Sequence, residues 1–351
     1  MERAKDWVGD IFPMVELSKQ EEERALRLHR EAVVVDTHCD TLMHVVGGGG
    51  RREEPRRLGE RSERGHLDIP RMVEGGVTCQ TFAVYTGRAP VVADATYRAL
   101  QMVERFWAEA DSNPIFDAVT GVEGIREAKR GGRVCGLLSL EGAEPLMGDV
   151  AMLRVFHRLG VRMVSLAWNW RTPFADGLAA KRSGGKLTDL GVEAVEEMAR
   201  LGVLLDVSHL ADSVFWDVVE VSKKPFIASH SNARAVCDHP RNLSDDMIEA
   251  LADRGGVMGL NFAPAFVVEG GEGASVEKLV DHCDHIVDLV GPDHVGLGSD
   301  YDGIGATPRG LESVDKLPNF TRELVRRGYS DEDVLKILGG NHLRLFQKVI
   351  G

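Results

Sequence analysis

Six residues of this chain have the type and placement for metal chemistry: His38, Asp40, Glu141, His209, His230 and Asp300. Imidazole nitrogens and carboxylate oxygens both donate to divalent cations, and each of these residues follows a short apolar run of β-like composition. In Val33-Val-Val-Asp-Thr-His-Cys-Asp40, side chains two apart on a strand share a face, so His38 and Asp40 can address one ion. A carboxylate can bridge two cations, and two metals about 3.5–4 Å apart polarise a carbonyl and activate a water between them. Glu141 is the natural bridge, which assigns His38, Asp40 and Glu141 to one metal and Glu141, His209 and His230 to the other. That donor mixture favours zinc over calcium or magnesium, with manganese, cobalt or iron as workable substitutes. Asp300 sits in Gly296-Leu-Gly-Ser-Asp-Tyr-Asp-Gly303, where glycines permit close backbone approach. A carboxylate there fits a base that deprotonates the water and returns the proton to the leaving group. Asp302 shares its face if the strand persists that far.

Side chains so dispersed need a rigid frame. Short β-branched runs recur at 33–38, 77–85, 134–140, 163–167, 203–207, 226–229, 257–261 and 295–298, and eight is the number a closed barrel needs. Amphipathic segments at 95–110, 190–201, 213–221, 244–253 and 276–290 supply the outer ring. The expected fold is therefore α/β, a (β/α)8 TIM barrel of the metallo-dependent hydrolase type, formed as one domain over residues 1–351. A lone strand histidine is more often a hydrogen-bonded core residue than a ligand. Here the polar residues follow the first, third, fifth, sixth and eighth runs, at the C-terminal strand ends where barrel enzymes build their sites. Residues 1–30 read as an accessory helix outside the barrel. The Gly-rich, then densely charged segment 47–66 reads as a lid-like loop over the mouth or as a solvated insertion. Residues 331–350 read as helix with a break at Gly339-Gly340-Asn341.

The net charge of −13 argues against a nucleic-acid or anionic-membrane surface and leaves small molecules as the expected partners. The N-terminal stretch is charged, without a signal-like apolar region, and no apolar run of about 18 residues follows, so a cytoplasmic location is expected. The five cysteines (Cys39, Cys79, Cys135, Cys237, Cys283) lack CxxC spacing and read as buried reduced thiols.

Six stretches carry a family likeness: Asp36-Thr-His-Cys-Asp-Thr41, Ser139-Leu-Glu-Gly142, Leu205-Asp-Val-Ser-His209, Ser229-His-Ser-Asn-Ala-Arg-Ala-Val-Cys-Asp-His-Pro-Arg-Asn242, Gly298-Ser-Asp-Tyr-Asp-Gly303 and Gly340-Asn-His-Leu-Arg-Leu-Phe346. With these the chain resembles the membrane dipeptidase (renal dipeptidase) family of zinc metallopeptidases, among the amidohydrolase-like barrels. The resemblance implies a dinuclear zinc dipeptidase, active on dipeptides including those with a C-terminal D-residue, and a homodimer. It carries the ligand roles onto the five residues above and the acid/base role onto Asp300. It also implies that Arg241 binds the dipeptide's terminal carboxylate, which suits a guanidinium fork. A surface salt bridge is the plainer alternative for Arg241, and Arg234 and His239 are rivals nearby. Tyr301 is a candidate to line the pocket.

The chain departs from the family at Leu166-Ala-Trp-Asn-Trp-Arg-Thr-Pro173, which puts Trp168 where mammalian-type members carry a histidine that stabilises the tetrahedral intermediate. An indole only donates and cannot become a cation; Asn169 could donate to an oxyanion instead. The same run has no lysine to serve as a bridging carbamate, which returns the bridge to Glu141. Two other functions fit less well. One is a related metal-dependent amide hydrolase, such as an N-acyl amino acid deacylase. The other is a non-catalytic metal-binding protein, against which the presence of a base at Asp300 speaks.

Overall fold

The computed structural model describes residues 15–46, 54–87 and 92–351. Among the described residues nine strands appear, in the order β1 (Val34–Cys39), β2 (Val77–Tyr85), β3 (Phe116–Ala118), β4 (Val134–Glu141), β5 (Val161–Ser165), β6 (Leu204–Asp206), β7 (Ile227–Ala228), β8 (Val257–Leu260) and β9 (Val295–Leu297). All pairings are parallel, and β2 pairs with both β1 and β4, so eight strands close into a barrel: β1, β2 and β4 to β9. The ninth, β3, was not expected. It lies on the β4 edge at Val134–Gly136, just before the part of that edge taken by β5. Three residues are too few to leave an alternating pattern.

The strands form because they are buried on both faces, by the barrel interior and by the helices outside. That is why β4 reads as an almost unbroken apolar run. Its outward positions pack under the helix Val92–Ser112, and Gly136 makes room for the aromatic cluster there. A Cβ at Gly136 would stand 2.6 to 2.9 Å from the rings of Phe106, Phe116 and Phe82. On the inner face, Val35, Cys79, Cys135, Leu137, Met163, Leu204, Ile227 and Val257 form an apolar floor, continuous with the helices Val122–Arg130 and Asn341–Val349.

The expected helices are present within a few residues of their predicted bounds, several with side-chain caps such as Ser244 and Ser275. The accessory helix is Lys19–Glu31, started by a Ser18/Glu21 capping box; the predicted part at 1–14 lies outside the described residues. The C-terminal break falls at Gly339, where the chain presses on β1. A Cβ there would lie 2.0 Å from the Val33 carbonyl oxygen. All five cysteines are buried and free. Among the described residues no helix is long and apolar enough to cross a membrane.

Of the expected lid-like loop, residues 47–53 lie outside the described residues. The remainder is fastened down through Asp302. Its carboxylate takes hydrogen bonds from Thr41 Oγ1 (2.7 Å) and the His66 N–H (2.7 Å) and an ion pair from Arg56.

Candidate metal centre

The six predicted residues converge at the C-terminal mouth of the barrel. His38 is the fifth residue of β1, and the strand's register shifts between Asp36 and Cys39. Asp40 therefore reaches in from the first residue after the strand, and the two side chains still meet, with His38 Nε2 3.4 Å from Asp40 Oδ2. Glu141 ends β4 and lies between the two histidine groups: one oxygen is 3.7 Å from His38 Nε2, the other 3.0 Å from His209 Nε2 and 3.7 Å from His230 Nε2. The His38 and His230 rings stack with centroids 3.7 Å apart. Asp300 Oδ1 approaches His38 Nε2 at 3.9 Å, and Asn261 donates to Asp300 Oδ2 at 3.0 Å.

Both His209 and Asp300 hold left-handed backbone conformations, with φ of 71° and 63°. Non-glycine residues adopt that region at a cost of order 1–3 kcal/mol, which surrounding structure must impose. Here β6 and β9 end early, at Asp206 and Leu297, and the chain turns sharply to aim these two side chains inward.

Three observations fit this constellation to cations. The donor atoms of His38, Glu141 and His230, and those of His38, Asp40 and Asp300, lie within 4.8 Å of one another. Asp40 Oδ1 is buried without any hydrogen-bond partner. Finally, His209 and His230 turn their Nε2 atoms toward each other at 2.9 Å while their Nδ1 atoms face Asn169 and Ser229. If both Nδ1 atoms carry the protons, two lone pairs oppose each other, and a shared cation reconciles them.

The electrostatics agree. Burial, with Asp40 nearby, pushes the Glu141 carboxyl well above its ordinary range. Burial also raises Asp300, to about 6, aided by Asp40 and opposed by His38, Asn261 and Arg241. His38 is pushed down by burial yet carried up to about 10 by Glu141, Asp40 and Asp300. Burial holds His209 and His230 well below the usual histidine range. These carboxylates crowd a desolvated space in which positive charge is short, and a bound dication removes that frustration.

Arg241 is buried at the same mouth. Its Nη2 donates to the His230 carbonyl at 3.1 Å, its Nη1 approaches Ser231 Oγ at 3.4 Å, and its Nε has no partner. Among the described residues it forms no ion pair, which removes the surface salt-bridge alternative. The rivals are otherwise engaged: Arg234 pairs bidentately with Asp212, and His239 packs on Phe266.

Other expectations need correction. Tyr301 is fully buried, packs edge-on against Phe262 and donates its hydroxyl to the Leu311 carbonyl at 3.0 Å, so it is a core residue and not a pocket wall. Asp302, which would have shared the face of Asp300 only had the strand persisted, stays outside the candidate ligand set: β9 ends at Leu297 and the Asp302 carboxylate is held by Thr41, Arg56 and His66. Asn169 accepts from His209 Nδ1 through its Oδ1 at 2.9 Å, which fixes the amide and leaves its Nδ2 as the group that can donate. Trp168 lies at the mouth, half-buried between His209 and Tyr85, with ring centroids 5.4 and 5.1 Å away.

Sequence reasoning missed Tyr85 and Asn261. Tyr85 is in register with Glu141 on the neighbouring strand, and Asn261 holds Asp300. Each closes a predicted strand, the same signal that singled out the candidate ligands.

Residues 22–350 match the family model described as membrane dipeptidase (peptidase family M19). Dipeptidase 3 of Rattus norvegicus is 33% identical over 334 residues, covering 93% of this chain and 67% of the rat protein. Dipeptidase aclJ of Aspergillus oryzae is 33% identical over 303 residues, covering 81% of this chain and 70% of its own. A metallopeptidase of Rhodobacter sphaeroides, solved with a phosphinate mimic of the dipeptide L-Ala-D-Ala, superposes with a TM-score of 0.83 at 31% identity, over 91% of this chain and 99% of that one. The chain belongs to the membrane dipeptidase family of metallopeptidases, on a (β/α)8 barrel.

Proposed function

We propose that this protein is a dinuclear zinc dipeptidase whose substrates include dipeptides with a C-terminal D-residue. The observation that carries the reading is the convergence of His38, Asp40, Glu141, His209 and His230 beside a buried, unpaired Arg241. The mimic bound to the Rhodobacter relative supports the substrate class, including the D-residue. Two cations held by these residues supply Lewis acidity toward the scissile carbonyl and a more acidic attacking water.

The remaining work falls to the chain. Arg241 receives the substrate's terminal carboxylate: its fork is charged, desolvated and without a carboxylate of its own, so an incoming anion meets an unsatisfied donor. Asp300, steadied by the Asn261 amide, accepts the water's proton and delivers it to the departing amine. Trp168 and Tyr85 wall the mouth on the His209 side. A cytoplasmic homodimer completes the proposal, on the sequence and the family resemblance alone.

The test is a dipeptide library of mixed chirality, assayed with zinc-loaded protein and with Arg241→Met. Free-acid dipeptides should be cleaved, and Arg241→Met should harm them selectively. Equal losses on C-terminally amidated analogues, or preferential cleavage of N-acyl amino acids, would contradict the reading.

A further inference from the structure

The ligand His230 is the end of a directed hydrogen-bond chain. Asp206, the last residue of β6, is buried; one oxygen accepts the backbone N–H groups of Ser208 and Ser229, both at 3.0 Å, and the other accepts the Ser229 hydroxyl at 2.6 Å. A carboxylate can only accept, so the single Ser229 hydroxyl proton points toward Asp206. The lone pairs of Ser229 Oγ then face His230 Nδ1, 2.7 Å away, and that nitrogen must donate. The proton is thereby kept off Nε2. At His209 the amide oxygen of Asn169 does the same in one step, at 2.9 Å from Nδ1.

The backbone around His230 is fixed as well. Its N–H donates to Ser208 Oγ at 3.1 Å, and its carbonyl takes Arg241 Nη2 and Asn261 Nδ2. Asn261 also donates to Asp300, so it is not confined to one half of the centre. Asp206, Ser229 and Asn169 hydrogen-bond to none of His38, Asp40, Glu141 and Asp300, and they act on the His209 and His230 half only.

We propose that the Asp206–Ser229 pair and Asn169 are positioning residues that hold His230 and His209 in the tautomer with a free Nε2, and so set the cation affinity of the Glu141, His209 and His230 half alone. This rests on the two-metal reading above. Partners of this kind are typically worth 10- to 100-fold in metal affinity.

The experiment titrates metal-free protein with zinc against a competing chelator, and in parallel with Co2+ followed by its visible absorption. The unaltered chain, Ser229→Ala, Ser229→Thr and Asn169→Ala are compared. Ser229→Ala should weaken one of two sites by about 10- to 100-fold, leave the other within about twofold, and alter the Co2+ bands of the weakened site only. Asn169→Ala should weaken the same site, and Ser229→Thr, which keeps the hydroxyl, should restore it. In crystals grown at limiting zinc, anomalous density should fade between His209 and His230 and persist beside Asp40. The proposal is overturned if Ser229→Ala leaves both affinities unchanged, weakens both equally, or is not rescued by threonine. If Ser229→Ala does not fold, Asn169→Ala decides by the same readouts. An unaltered chain that binds a single ion contradicts the two-metal reading instead, and the variants still test tautomer control on that ion.

Discussion

The two ends of strand β4 obey opposite rules. At its start, Cys135 and Leu137 face inward into a fully buried floor made of Val35, Cys79, Met163, Leu204, Ile227 and Val257. Four residues above Leu137 on the same face, Glu141 is equally buried but lies among Asp40, Asp300 and three histidines. The floor gains free energy from every contact. The mouth spends it, on desolvated carboxylates, on left-handed backbone at His209 and Asp300, and on an orphaned Asp40 oxygen. Barrels separate these tasks because strands run past both zones: side chains at the N-terminal end set stability, and those at the C-terminal end are free to be costly and useful.

The largest effect expected from breaking this division is at the mouth. Asp300→Asn keeps the shape but removes the base, so turnover on a cleaved dipeptide should fall about 10²- to 10⁴-fold while both metals stay bound. Metal content and turnover measured on one sample separate the roles. A loss of metal that accounts for the whole fall would make Asp300 a ligand.

At the floor, Leu137→Ala should cost about 2–5 kcal/mol of unfolding free energy by the cavity it leaves. Metal content and turnover per folded molecule should not change. If turnover falls with stability restored by excess zinc, the two ends are coupled and the division is wrong.

A smaller, pH-dependent effect sharpens the contrast. Burial lowers His29 to about 4 and His342 to about 3. Below the unfolded histidine value the unfolded chain binds these protons and the native chain does not. Their stabilising contribution is therefore complete above pH 6.5 and shrinks as pH falls toward 4 and 3. Each should remove about 2 kcal/mol between pH 8 and pH 5. Unfolding free energies of His29→Gln and the unaltered chain at both pH values check this. An unchanged difference between the two pH values would contradict it.

What could be read in the sequence follows from the same division. Strands buried on both faces leave runs such as Val-Thr-Cys-Gln-Thr-Phe-Ala-Val-Tyr at 77–85, which is β2 residue for residue. Polar candidate ligands at strand ends interrupt such runs, so His38, Glu141, His209 and His230 stood out. Tyr301 and Asp302 could not be assigned, because they lie beyond the end of β9, where the chain turns and alternation stops predicting a face. Asp206 and Ser229 were silent for another reason. Their function is a hydrogen bond to a residue on another strand or just beyond it, and no periodicity within one strand encodes that.

The proposed dinuclear centre depends on Glu141 as the bridge between two cation sites. Its most direct test is anomalous scattering at the zinc edge from crystals of the unaltered chain and of Glu141→Gln, both grown in excess zinc. Two ions are expected in the unaltered chain, one beside His38 and Asp40 and one between His209 and His230, with Glu141 contacting both and with occupancy at both positions falling in Glu141→Gln. A single ion, or a Glu141 side chain turned away from both positions, would contradict it.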